Sequence, residues 1–253
     1  NIRGQQTMRG YWRERIAWYP DGSFGPYRNE AEGYSRRELA ADATVHVLGV
    51  ALGCVGIGML CTRIIATDMP AQLAAGLCVY AISLLAMLCC SAVFNIMVKQ
   101  WAKHVWLLQL ADHAGILLLI AGSYTPFMLV ICQPRILTFV WSVGLVSFVA
   151  KASRSALDLL GLHLVCFLAM GWAVVYIWAD VAAASSPWAM RTMMWGGGLY
   201  TLGLVPWACN SLEFHNAIWH VFVLAASANF FFIVYEEVAV PSQWQAGARA
   251  LCA

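Results

Sequence analysis

The chain has 253 residues, of which 61% are hydrophobic and 11% are charged. Because a typical soluble domain is roughly 25% charged, this composition excludes an ordinary soluble fold and indicates that the chain lies mainly within a membrane. The formal net charge of +2 is too small to suggest nucleic acid as a partner.

Residues 1–38 form a polar N-terminal extension that contains seven arginines and seven aromatic residues. The extension has no apolar run of the kind that marks a secretory signal peptide. Aromatic and arginine side chains are enriched at membrane interfaces and at protein interfaces, so we expect this extension to contact membrane lipids or another subunit. A flexible arm is the alternative interpretation.

Apolar stretches long enough to cross a bilayer follow the extension almost without a break. They are continuous and lack the ten-residue alternation of barrel strands, which predicts an all-α, polytopic integral membrane protein with seven transmembrane helices. We assign residues 39–238 to this seven-helix membrane domain and residues 239–253 to a short C-terminal tail. The predicted spans are 40–62, 71–98, 106–131, 136–152, 158–182, 188–209 and 214–237.

Basic residues are distributed unequally between the two faces of the predicted bundle. The face that carries the N-terminus holds 11 Lys and Arg residues, namely seven in the extension plus Lys99, Lys103, Lys151 and Arg154, and the other face holds four. The positive-inside tendency therefore places the N-terminus on the cytosolic, matrix or stromal side.

Polar side chains inside spans are informative, since a charged group at the bilayer centre costs at least about 2.5 kcal/mol. Helical spacing of three, four or seven residues puts such side chains on one helix face. Three groups lie at span ends that meet the basic face, so we expect them to converge at one depth. These groups are Ser91 with Asn95, Asp112 with His113, and Glu213 with Asn216 and His220.

Four passages in chain order resemble the haemolysin III family and the related progestin and adipoQ receptors, which are seven-span proteins. The strongest passage is residues 112–127, DHAGILLLIAGSYTPF. Residues 38–46 (ELAADATVH), 197–203 (GGLYTLG) and 217–224 (AIWHVFVL) support it. The resemblance covers roughly residues 36–237.

The resemblance implies a zinc ion near the cytoplasmic face, where it would activate water for hydrolysis of a lipid amide. Its ligands would be a histidine at the end of span two and a His-x-x-x-His pair on span seven, with a serine and an aspartate nearby. In this sequence Asn95 and Asn216 stand at two of the three histidine positions. Neutral carboxamides are poor zinc ligands beside imidazole. We therefore expect no catalytic residue and no metal at the vestigial site, which consists of Ser91, Asn95, Asp112, Asn216 and His220.

A rebuilt metal site is the alternative at this position. In that case zinc would be held by His220, Asp112 and Glu213, because carboxylates can join an imidazole around a metal. His215 is five residues before His220, about 140° away around an ideal helix, so it is expected to point elsewhere. Bound lipids are the other ligands that we expect.

The sequence thus favours a non-enzymatic member of the family that serves as an accessory subunit of a larger membrane complex. The N-terminal extension and the outer helices would contact the other subunits. Because the chain begins at Asn1 without methionine, as a trimmed organellar precursor would, we expect a mitochondrial inner membrane and a respiratory assembly. A plastid or cell membrane is the alternative location. A metal-dependent lipid amidase resembling ceramidases and a lipid-sensing receptor are the alternative functions.

Overall fold

The computed structural model describes residues 34–97, 104–154, 157–209 and 211–240, and within these ranges it contains helices and no strand. The predicted all-α fold is confirmed. The helices are α1 (Arg36–Ala66), α2 (Ala71–Met97), α3 (Val105–Val130), α4 (Pro134–Ala152), α5 (Leu160–Gly171), α6 (Trp178–Ala184), α7 (Pro187–Ala208) and α8 (His215–Ile233).

Two of the seven helical segments are irregular. A 3-10 turn, Ala173–Ile177, joins α5 to α6, so that Leu160–Ala184 forms one broken segment. A π-helical turn, Val234–Val238, extends α8.

Six segments of the described chain are long and apolar enough to cross a membrane, which confirms a polytopic membrane protein. The remaining segment, α7, has 22 residues and is therefore long enough, but its glycines and Arg191 make it less apolar than the others. A seventh crossing stays a prediction.

A capping box begins α1, and its Glu38 carboxylate also bonds the backbone just before α8. The Ser35 hydroxyl accepts a hydrogen bond from Glu38 N at 3.2 Å, and the Glu38 carboxylate accepts one from Ser35 N at 2.8 Å. The other Glu38 oxygen accepts from Phe214 N, just before α8, at 3.3 Å. The first and last helices of the described chain therefore meet at the face that carries the N-terminus.

Small residues set the closest helix contacts. A Cβ atom on Gly122 of α3 would lie 2.4 Å from the Ser83 hydroxyl of α2, and one on Gly203 of α7 would lie 2.8 Å from Phe222 Cβ of α8. Small residues let helix backbones approach closely in membranes, where van der Waals packing drives association. Helix α8 packs between α1 and α7, while α3 packs against α2, α4 and α5.

Candidate functional site

A cavity of about 280 Å³ lies among α2, α3, α5, α7 and α8. Its walls are mainly apolar along the middle of the bundle, and include Leu119, Phe127 and Val223. The end of the cavity at the N-terminal face is polar, because the helix ends there carry polar side chains. The polar residues at that end are Ser91, Asn95, Gln109, Asp112, His113, Lys151, His163, Asn216 and His220.

The structure brings together polar groups that the sequence predicts to converge. The Asn216 amide nitrogen donates to the Asn95 carbonyl oxygen at 3.2 Å, which joins α8 to α2. Asn95 in turn donates to the Ser91 backbone oxygen at 2.9 Å. Asp112 lies within electrostatic range of His220. Its Oδ1 atom is buried and has no hydrogen-bond partner among the described residues.

Glu213 does not join this group. Helix α8 begins at His215, after a turn in which Phe214 adopts a left-handed backbone conformation with φ 61°. Glu213 therefore precedes the helix, and it is exposed. The expectation that it shares a helical face with His220 is wrong, because the turn breaks the helical register. His215 is buried and contacts Tyr34 through Nε2 at 3.0 Å, away from the cavity.

Asp42 of α1 is a site residue that the sequence reasoning missed. His220 Nδ1 donates to Asp42 Oδ1 at 2.7 Å, and the Asn216 amide donates to Asp42 Oδ2 at 3.1 Å. His46, one turn further along α1, lies with Nε2 3.7 Å from Asp42 Oδ2. The available signal was a pair of polar residues at i and i+4 inside an apolar helix, since such residues are rare in spans.

A second buried polar cluster lies between α3, α4 and α5. His163 Nε2 donates to Asp158 at 2.9 Å, so its Nδ1 accepts from the Ser147 hydroxyl at 2.9 Å. His113 Nε2 then donates to Ser147 at 3.2 Å, and Lys151 Nζ lies 3.6 Å from Asp158.

The order serine, histidine, aspartate in this cluster resembles a hydrolase triad. Ser147, however, is fully buried and does not line the cavity. The cluster therefore joins helices and offers no accessible nucleophile.

The family's three-histidine zinc site does not fit the residues present. The side-chain amides of both asparagines already act as hydrogen-bond donors. Asn216 donates to Asp42 and to Asn95, and Asn95 donates to Ser91. An amide N–H is a donor and offers no lone pair to a metal ion. One imidazole, that of His220, remains of the three, and its Nδ1 is bonded to Asp42.

Fold and cavity together define a polytopic α-helical membrane protein with a polar site at one end of the bundle. The profile of the family described as "Haemolysin-III related" matches residues 37–231. The chain belongs to this family, as its motifs predicted.

Two curated relatives come from bacilli. The chain is 30% identical over 205 residues to "Hemolysin-3 homolog" of Bacillus subtilis (strain 168), an alignment that covers 79% of this chain and 94% of the relative. It is 30% identical over 138 residues to "Hemolysin-3" of Bacillus cereus, covering 51% of this chain and 60% of the relative.

Proposed function

We propose that this chain binds a single-chain lipid in the cavity and does not hydrolyse it. The observation that carries the proposal is the distribution of polarity in the cavity, which has apolar walls within the bundle and convergent polar groups at the N-terminal face. Binding sites for small molecules are typically apolar with a few polar groups that orient the ligand. A lipid with one acyl chain and a polar headgroup matches this arrangement.

Absence of hydrolysis follows from the hydrogen bonds of the two asparagines. Zinc-assisted attack on an amide requires an ion with an open position for water. Here Asn95 and Asn216 bond to each other where the family has two histidines, and each also has a second partner. We infer that the catalytic site of the family has become an interhelical hydrogen-bond network in this chain.

A protein that holds lipid without chemistry is suited to an accessory role in a larger membrane assembly. Helix α1 exposes an apolar face that includes Leu48, Leu52 and Val55, and this face is open to lipid or to another subunit. The N-terminal extension lies outside the described residues up to residue 33, so its contacts with other subunits stay a prediction. The mitochondrial or plastid location likewise stays a prediction. Co-migration with a large assembly on a native gel of the source membrane is the expected result, and a solitary protein would contradict the role.

Neighbouring glycines on α7 provide a matched test of lipid binding. Gly197 lines the cavity, and a Cβ atom there would meet Trp172 at an ordinary 3.6 Å, so Gly197→Leu fills the cavity without a backbone collision. Gly198 does not line the cavity and has no atom within 4 Å of such a Cβ, so Gly198→Leu is the control. We expect the wild type and Gly198→Leu to retain co-purified single-chain lipid, and Gly197→Leu to retain about tenfold less, a loss of about 1.4 kcal/mol in binding. Lipid extraction with mass spectrometry measures the amounts, and equal retention by the two variants would contradict the proposal.

A metal-dependent lipid amide hydrolase is the second candidate. The unpaired Asp112 Oδ1 favours it, because Asp112, Ser91 and His220 line the same cavity. Release of fatty acid from an N-acyl lipid with added zinc separates the two functions. We expect none from the wild type. Zinc-dependent release that Asp112→Asn abolishes would establish the hydrolase.

The double change Asn95→His with Asn216→His tests the inferred loss of the zinc site directly. Made in a His46→Leu background, so that His220 is not shared with another metal site, it restores three imidazoles beside the cavity, and we expect it to add about one zinc ion per chain. Metal analysis of the variant beside His46→Leu alone measures this gain. No gain would mean that the backbone at these positions no longer matches the family geometry.

A further inference from the structure

Asp42, His46 and His220 form a compact cluster between α1 and α8. One nitrogen or oxygen atom from each residue lies within 4.8 Å of the other two. None of the three residues is more than 8% exposed. Asp42 and His46 do not line the lipid cavity. We propose that this cluster binds a divalent transition-metal ion of the zinc class, and that the ion joins α1 to α8 as a structural link.

The donor set suits such an ion. Two imidazoles and one carboxylate are a common ligand set for zinc and for other first-row metals. With bonds of about 2.0–2.2 Å in a tetrahedron, neighbouring ligand atoms are about 3.4 Å apart. The distances from His220 Nδ1 to Asp42 Oδ1, 2.7 Å, and from His46 Nε2 to Asp42 Oδ2, 3.7 Å, lie on either side of this value. To reach this value the first pair of atoms must separate by about 0.7 Å and the second pair must approach by about 0.3 Å.

An unsatisfied nitrogen is the second observation. His46 Nε2 is buried and has no hydrogen-bond partner in the described part of the chain, and its nearest carboxylate oxygen is beyond hydrogen-bond distance. Buried polar atoms without partners are uncommon and call for an explanation such as an unseen ion. The His113–His163 pair is the internal comparison, because Ser147 bridges its facing nitrogens.

Access to the cluster comes from the N-terminal face. A small pocket of about 10 Å³ there is bordered by Asp42, Glu38, Asn95 and Asn216. This volume is about that of one water molecule, which can serve as the fourth ligand. The water would lie in this small pocket and not in the lipid cavity, which Asp42 and His46 do not line, so we assign the ion no part in chemistry on a bound lipid. The metal site goes beyond the proposed lipid binding, and either can fail without the other.

The test uses the full chain purified in detergent, with zinc content measured by mass spectrometry and stability by thermal unfolding. We expect about one zinc ion per wild-type chain, a lower unfolding temperature after chelation, and recovery when Zn²⁺ is added back. His46→Leu should reduce zinc content at least about tenfold and abolish the response to Zn²⁺. His113→Leu removes another buried imidazole and should keep the zinc, which makes it the matched control.

Two further variants keep the result interpretable if His46→Leu folds poorly. His46→Cys supplies a thiolate ligand and should retain zinc. Asp112→Asn should also retain zinc, because Asp112 is not part of the cluster. The proposal would be overturned if the wild-type chain held no zinc and His46→Leu left the unfolding temperature unchanged or raised it. It would also be overturned by zinc that Asp112→Asn removes and His46→Leu does not, because the ion would then lie in the lipid cavity.

Discussion

Serine hydroxyls in this bundle differ in how many hydrogen bonds between helices they form, and the buried Ser147 forms two. Its Oγ atom accepts from His113 and donates to His163, so one hydroxyl satisfies two buried ring nitrogens from different helices. Ser123, by contrast, donates to the Leu119 backbone oxygen of its own helix. The two serines therefore have the same chemistry and different structural roles.

We predict that Ser147→Ala destabilises the protein by about 1–3 kcal/mol, because two buried nitrogens lose their partner at once. Ser123→Ala should stay within about 0.5 kcal/mol of the wild type, since the helical hydrogen bond of Leu119 remains. Denaturant unfolding of both variants in one detergent measures the difference. Equal stability of the two variants would show that the histidines find other partners.

Among the helical elements, the broken fifth segment, Leu160–Ala184, receives hydrogen bonds at its break from a side chain of another helix. Helix α5 ends at Gly171, and a 3-10 turn follows. The Tyr124 hydroxyl of α3 donates to the Gly171 oxygen at 2.9 Å and accepts from Val174 N at 2.9 Å. Backbone groups within a membrane must be satisfied by the protein itself. Tyr124 therefore satisfies two backbone groups at the break in the helix.

Tyr124→Phe removes both hydrogen bonds and is expected to destabilise the protein by about 1–3 kcal/mol. The Val174 amide should also exchange its hydrogen faster, because it loses its acceptor. Tyr176→Phe is the control, since Tyr176 belongs to the same turn and is 86% exposed. Thermal unfolding and hydrogen exchange measured by mass spectrometry test both effects. Unchanged exchange at Val174 would contradict the role given to the Tyr124 hydroxyl.

For the molecule as a whole, the unequal distribution of basic residues predicts its orientation. Cys209 follows α7 at the N-terminal face and is exposed. Asp68, between α1 and α2, is exposed at the opposite face. If all seven segments cross, a membrane-impermeant thiol reagent applied outside intact cells should label Asp68→Cys, and should reach Cys209 only after the membrane is permeabilised.

Cys209→Ser provides the background for this labelling experiment, because it removes the exposed thiol that follows α7. Other free cysteines such as Cys61 are exposed as well. Asp68→Cys is therefore read against Cys209→Ser alone, and the label on Cys209 is the difference between the unmodified chain and Cys209→Ser. Labelling of Cys209 in intact cells together with protection of Asp68→Cys would reverse the orientation. Labelling of both from one side would mean that α7 does not cross.

Much of the fold could be predicted from local properties of the chain. The length of an apolar run and its hydrogen-bonding needs in lipid are properties of a short segment, so the spans were predictable without knowledge of their neighbours. Family motifs and the alternation of span direction also predicted that Ser91, Asn95, Asp112, Asn216 and His220 converge, and in the structure all five line one cavity.

Packing decided the rest, because the rotation of each helix about its axis depends on distant partners. Asp42 meets His220 across 178 residues of sequence, a contact that exists only because α1 and α8 are neighbours. A single left-handed residue, Phe214, removes Glu213 from the helical face that its spacing indicated. The sequence by itself therefore determined the helical spans and most of the polar groups within them, because these are local properties, and the tertiary structure decided which polar groups touch.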